Sequence, residues 1–310
     1  MLAALACLAG LAIAELKTSP SGPATSPPGA VTSKSGAAAP RQERLAAVSW
    51  PADGVSAAAI SGFGVVDGPG ATRPVPIASV AKVMTAYVVL QDHPLPANGP
   101  GPDIAVQPSE AAAYPSQARD GDSLVPVAAG ETITERQALE ALLLPSADNM
   151  AWILARWDAG SQAAFVARMN ATARRLGMTG TSYTDPSGLD PSTASTPADQ
   201  VRLGVAALRV PALAAIAAMP TAVVPEAGVV RNYNTLLGQD GIVGLKTGSM
   251  QAAGGCVVIA AWHKAGARSI LIVAATFGQP GTAQTILPNA LQAGRTLLLA
   301  VDRALGHSRR

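Results

Sequence analysis

The sequence predicts an α+β domain. Apolar, strand-like segments lie near both ends of the chain, and segments with helical apolar spacing occupy the middle. The closing strand-like segments follow one another through glycine-containing connections. Strands at the two ends with helices between them place both ends in one sheet, which is not a βαβ alternation.

In chain order, Leu45–Trp50 and Val55–Val66 read as the first strands, ahead of the turn Asp67-Gly68-Pro69-Gly70. Beyond Pro74 and Pro76, Ser79–Leu90 is an apolar run of helical character, and the Pro, Gly and Ala-rich stretch His93–Gly130 reads as irregular. Thr134–Leu144 reads as a helix with Thr134 as its N-cap. Pro145-Ser146 breaks it, Asn149–Trp157 resumes it, and Ala163–Leu176 is a further helix closed by Gly177. Ile242–Thr247, Cys256–Trp262 and Ser269–Phe277 are strand-like, and Gln284–Leu305 is the terminal helix.

The N-terminus has a different character. Leu2–Ala14 is an unbroken apolar run ended by Glu15 and Lys17. As a helix it covers roughly 20 Å, short of the ~30 Å hydrocarbon core, and Ala12-Ile13-Ala14 has the form of an A-x-A cleavage site. Residues 1–14 therefore read as an export signal or a membrane anchor, which predicts an extracytoplasmic protein. Residues 15–44 read as a linker, because the stretch from Thr18 to Pro40 is rich in Pro, Ser and Gly and holds Val31 as its one large aliphatic. The catalytic domain is then 45–310.

Composition narrows the chemistry. A net charge of +2 on 310 residues gives no electrostatic reason for a nucleic-acid partner. His93, His263 and His307 do not stand at ligand spacing, so no metal site is expected, and Cys256 reads as a buried thiol. Lysine is scarce: Lys17, Lys34, Lys82, Lys246 and Lys264 are the only ones among 22 basic residues. A lysine kept where arginine supplies most of the charge points to something arginine cannot do, such as losing its proton.

Lys82 lies three residues after Ser79, which puts amine and hydroxyl on one helical face. Apolar neighbours favour the neutral amine that a serine nucleophile needs as its base. Read alone, the pair is a weak signal, and an N-capping Ser with an unrelated Lys is the better reading. Ser146-Ala147-Asp148-Asn149, at a break between helices, presents polar groups to a cleft or else caps the following helix. Lys246-Thr247-Gly248-Ser249, at the end of a strand, suits a substrate that adds as a further strand and presents a carboxylate; the bland reading is a β-turn.

In this order, and with Asp185-Pro186-Ser187-Gly188-Leu189 and Asn232-Tyr233-Asn234-Thr235-Leu236-Leu237 between them, the motifs resemble the D-alanyl-D-alanine carboxypeptidases. These are the low-molecular-mass penicillin-binding proteins, and the resemblance runs from about Leu45 to Leu305. It implies a penicillin-binding-protein/β-lactamase-like transpeptidase fold, with an antiparallel sheet of about five strands flanked by helices and a mostly helical subdomain. It implies that Ser79 attacks the carbonyl between the terminal D-alanines of a peptidoglycan stem peptide and that Lys82 takes its proton. Ser146 would relay a proton to the leaving group. The N–H groups of Ser79 and Ser249 would form the oxyanion hole, and Asp148 or Asn149 with Lys246, Thr247 and Gly248 would bind substrate. β-Lactam antibiotics are the implied inhibitors, and the scheme needs no cofactor.

Three positions depart from the family pattern. Asp148 stands where relatives carry Asn; an ionised Asp cannot donate a hydrogen bond and would hold Lys82 as ammonium, unless Asn149 takes over by a local shift. Met250 replaces a small polar residue. No Arg stands in Gly278–Thr282, which leaves more of the carboxylate to Thr247. A β-lactamase would share Ser79 and Lys82, but no Glu in the chain has Asn four residues on to position the deacylating water. The remaining readings are a catalytically weak penicillin or cell-wall binding protein, and a peptidoglycan endopeptidase.

Overall fold

The structure, a computed structural model, describes residues 45, 48–265 and 268–306. The expected export segment and almost all of the linker lie outside the described residues.

The first strand, β1 (Val55–Ile60), turns at Gly62 and returns as β2 (Gly64–Asp67). The single segment expected over 55–66 is therefore a hairpin. The short β3 (Val75–Pro76) leads into a 3-10 turn, Ala78–Ala81, which continues as α1 (Lys82–Asp92). The stretch expected to be irregular holds β4 (Asp103–Ala105) and α2 (Pro108–Asp120). α2 is set by Pro108 at its first position and by a capping box between Gln107 and Glu110. Its internal Pro115 and its lack of a buried face hid it from the apolar pattern. β5 (Thr132–Thr134) precedes α3 (Glu135–Leu143), capped as expected by Thr134. α4 (Asp148–Ala159) and α5 (Gln162–Arg175) follow.

Past β6 (Ala194–Ser195) come four elements that the sequence pattern did not separate. They are α6 (Pro197–Ala207), α7 (Pro211–Ala217), β7 (Thr221–Val224) and β8 (Gly228–Arg231). The chain closes with β9 (Ile242–Met250), β10 (Gly254–Ala265), β11 (Arg268–Gln279) and α8 (Ile286–Ala304).

The main sheet runs β2-β1-β11-β10-β9, antiparallel throughout. It joins the two ends of the chain, as the sequence predicts. Both faces are buried. Ala58, Ile60, Val257, Ile259, Ile272 and Ala274 pack with Leu291, Leu297, Leu298 and Val301 of α8. Their neighbours one residue along, Ala57, Ala59, Val258, Ala260, Val273 and Ala275, belong to the larger core shared with α1, α3, α4 and α6. The period of two sorts the side chains, and cover on both sides makes the strands read as continuous apolar runs. Leu45 and Val48 join the α8 side, but Val48–Trp50 has no strand structure, so the first expected strand is absent there.

Cys256 is buried in β10, and that burial pushes its thiol up to about 12. A thiol reagent should leave Cys256 of the folded protein unmodified at neutral pH and label it in denaturant, because the nucleophile is the thiolate. Labelling of Cys256 in the folded protein as fast as in the denatured chain would show that the sheet opens around β10.

Candidate active site

Ser79 sits inside the 3-10 turn, and neither that turn nor α1 has a side-chain cap. The N-capping alternative therefore fails for Ser79. Its Oγ instead receives a hydrogen bond from Lys82 Nζ at 2.8 Å. Ala78, just before it, has φ 47°, a strained backbone that is tolerated where the surroundings over-determine it.

Lys82 is fully buried. Besides Ser79, its Nζ donates to Asp148 Oδ1 at 2.6 Å and to the Ser187 carbonyl at 3.0 Å. The loop around Ser187 is tied down by the Asp185 carboxylate, which accepts bonds from the backbone N–H groups of Ser187, Gly188 and Leu189. Asp185 also accepts from the hydroxyls of Ser187 and Thr193. Gly188 lies against the 3-10 turn that carries Ser79, at φ +81°, and a Cβ there would fall 1.9 Å from the Ala78 carbonyl oxygen.

The break between α3 and α4 brings Ser146 and Asp148 to the same place. Ser146 has φ 66°, is buried, and its Oγ has no hydrogen-bond partner among the described residues. It does not cap α4; Ala147 occupies that position with no side-chain bond. Asp148 turns inward, with Oδ2 accepting the Ser123 N–H at 3.0 Å. Asn149 does not do what the sequence allowed. Its amide exchanges bonds with the backbone of Val125, donating to O at 2.8 Å and accepting from N at 3.3 Å, which removes it as the substitute for Asp148.

Across the cleft, β9 carries Lys246, Thr247, Gly248 and Ser249 along the sheet edge. A Cβ on Gly248 would lie 2.9 Å from the Ser79 N, so the glycine lets the strand pass beside the Ser79 backbone. Lys246 is buried, and among the described residues its Nζ bonds only to the Thr247 carbonyl, at 3.0 Å. Burial, and then the charge of Lys82, hold its ammonium well below the usual lysine range, with Asp148 opposing. A buried lysine without an anion is the partner a carboxylate ligand would satisfy.

A cavity of ≈ 90 Å³ lies between Ser79, Ser146, Tyr233 and the Thr247–Ser249 edge. A second, of ≈ 220 Å³, opens on the other side of Ser79 toward Asp122, Asp148 and Leu189. Burial first, then the carboxylates of Asp148 and Asp120, raise Asp122 above the usual range, and Lys82 opposes them. Sequence reasoning assigned no role to Ser123, Asp122, Tyr233 or the Ser187 carbonyl. The Asp-Pro-Ser-Gly turn chemistry flagged the last; Asp122 and Ser123 lie in a loop without pattern. No group of residues able to hold a metal ion occurs among the described residues.

A hydroxyl bonded to a buried amine, a second hydroxyl and a strand edge carrying a buried lysine converge on Ser79, an arrangement that can support serine acyl transfer. The sequence profile of D-alanyl-D-alanine carboxypeptidase matches residues 65–278, and the chain belongs to that family. It is 36% identical over 192 residues to a D-alanyl-D-alanine endopeptidase of Pseudomonas aeruginosa, covering 60% of this chain and 59% of that protein. It is 37% identical over 185 residues to the D-alanyl-D-alanine carboxypeptidase DacB2 of Mycobacterium tuberculosis, covering 57% and 59%. The matched region thus spans 59% of the length of these two relatives. The solved D-alanyl-D-alanine carboxypeptidase of M. tuberculosis superposes with a TM-score of 0.67 at 31% identity, covering 84% of this chain and 93% of that one. The Streptomyces K15 DD-transpeptidase has the same fold, with a TM-score of 0.70 at 23% identity over 82% of this chain and 99% of that one.

Proposed function

We propose that this protein is a serine D-Ala-D-Ala carboxypeptidase of the cell-wall space, with residues 45–310 as the catalytic domain. In this reading residues 1–14 export or anchor it and residues 15–44 tether it. The observation that carries the reading is the Ser79 Oγ to Lys82 Nζ contact of 2.8 Å beside the β9 edge.

A stem peptide ending in D-Ala-D-Ala lies along β9 as an added strand, its terminal carboxylate directed to Lys246 and Thr247. Lys82, as the neutral amine, takes the Ser79 proton while Oγ bonds to the carbonyl carbon. The resulting oxyanion is met by the N–H groups of Ser79 and Ser249, two residues that line the ≈ 90 Å³ cavity. Ser146 passes a proton to the departing D-alanine nitrogen as the C–N bond breaks, and its unpartnered Oγ is free for that role. Water then hydrolyses the ester. The scheme uses no metal or organic cofactor. A β-lactam enters the same sequence and stops at the ester, because the chain has no Glu-x-x-x-Asn water site.

Intact-protein mass spectrometry tests this. Penicillin should add one adduct that maps to Ser79 and persists, Ser79→Ala should show none, and a synthetic pentapeptide should lose one D-alanine. Turnover of penicillin within seconds would mean a β-lactamase. A stable adduct without peptide cleavage would mean a penicillin-binding protein with little activity. Preference for a crosslinked dimer over the pentapeptide would mean an endopeptidase.

A further inference from the structure

We infer that Tyr233 is a specificity-determining residue. Together with Leu287 it walls the leaving-group side of the site to the size of one small residue, so a terminal D-alanine fits and a crosslinked peptide does not. The inference deepens the serine-peptidase reading and rests on it for the direction in which the substrate lies.

Two cavities flank Ser79, and they differ in size and lining. The ≈ 90 Å³ cavity has Ser146 and Thr247 in its wall, whereas the ≈ 220 Å³ cavity opens toward Asp122, Asp148 and Leu189. In acyl transfer the departing nitrogen must lie near its proton donor, and the terminal carboxylate near the cation that receives it. Ser146 is buried, and its Oγ has no hydrogen-bond partner among the described residues. Thr247 adjoins the buried Lys246. Both line the smaller cavity, so the residue that leaves occupies it and the acyl part extends toward the larger one. A volume of ≈ 90 Å³ is roughly the room of three water molecules. That is enough for a methyl group and a carboxylate, and short of a branched side chain or a second peptide.

The two largest side chains lining this cavity are Tyr233 and Leu287, and both are held in place. Leu287 stands in the first turn of α8 and packs on the apolar layer between that helix and the sheet. Tyr233 is 43% exposed, as a rim residue is, but its backbone is fixed from both sides. Its N–H donates to the Leu144 carbonyl at 3.1 Å, which ties it to the break that carries Ser146. Asn232 donates through Nδ2 to the Met219 carbonyl at 3.0 Å and accepts the Asn234 N–H at 2.9 Å. Asn234 in turn accepts the Leu236 N–H at 3.2 Å. The two asparagines pin the loop, and the tyrosine between them supplies the bulk at the cavity.

The test compares leaving groups. Steady-state cleavage is measured for acyl-D-Ala-D-Ala, acyl-D-Ala-D-Leu and a crosslinked dimer of stem peptides. In the wild type, kcat/KM for the D-Leu peptide and for the dimer should each lie about tenfold or more below that for the D-Ala peptide. Tyr233→Ala should close most of both gaps, and Leu287→Ala, which trims the other wall, should narrow them too. Tyr233→Phe keeps the ring and loses the hydroxyl, so the gaps should stay. The D-Ala and D-Leu peptides are also titrated by NMR into Ser79→Ala and Ser79→Ala/Tyr233→Ala, where no bond is broken. The first protein should bind the D-Ala peptide more tightly, and the second should show little preference. Melting temperatures identify the folded variants. Equal wild-type kcat/KM values overturn the inference, as do gaps that stay in folded Tyr233→Ala or vanish in Tyr233→Phe. A wild type that cleaves none of the three substrates would instead overturn the peptidase reading, and the binding preference of the Ser79→Ala proteins would still decide the role of Tyr233.

Discussion

Lys82→Arg should lower the rate of Ser79 acylation by roughly two orders of magnitude or more, nearly as far as Lys82→Ala. The guanidinium can keep an ion pair with Asp148, but it does not give up a proton in the accessible pH range, so it cannot take one from Ser79. The two variants should part on stability. Lys82→Ala strands Asp148 as a buried charge with only the Ser123 N–H for company, a change of the kind that costs about 3–5 kcal/mol. Lys82→Arg retains the partner and pays mainly for extra volume in a fully buried site, about 1–3 kcal/mol. Stopped-flow acylation with a chromogenic β-lactam and urea unfolding of both variants check the two halves. A near wild-type rate in the Arg variant would mean that another group takes the proton.

Gly188→Ala should disable the site from the opposite wall. The added Cβ would stand 1.9 Å from the Ala78 carbonyl oxygen and 3.0 Å from the Ala81 Cβ, in a backbone at φ +81°. Neither contact is a flexible side-chain end, so the 185–189 loop must withdraw from the nucleophile turn. Withdrawal takes the Ser187 carbonyl from Lys82 and disturbs the strained Ala78 that presents Ser79. The expected outcome is a stability loss of about 3 kcal/mol or more and an acylation rate down by at least tenfold. Thermal melting and the same acylation assay measure both. Wild-type values for each would show that the loop shifts freely and that the Ser187 contact is dispensable.

The local part of this site was legible because it is local. Ser79 and Lys82 are one helical turn apart, and a rule of spacing is enough to bring them together. Lys246 stood out through the scarcity of lysine, and the strand around it through its apolar run. The capping box of α2 was also present in the residues, but Pro115 and an exposed face masked it. The hairpin β7–β8 and the helices α6 and α7 fell between stronger patterns. Asn149 and Asp148 could not be told apart by sequence, since adjacent helical residues point about 100° apart and either could face the cleft.

By itself, the sequence determined the class of the fold, the pairing of Ser79 with Lys82 on one helical turn, and the order of the three site segments along the chain. These depend on periodicity, residue type and short spacing, which are written in the residues. Only the tertiary structure decided what surrounds the amine. Asp148 is 66 positions from Lys82 and Ser187 is 105, and the latter contributes a backbone carbonyl, which every residue has and no residue type announces. Which of two neighbouring buried polar side chains reaches the lysine was likewise decided by the fold, in which the Val125 backbone bonds Asn149 and Asp148 bonds Lys82. A contact made across the fold by main-chain atoms leaves no pattern in the sequence; it exists only once the sheet and helices have brought the segments together.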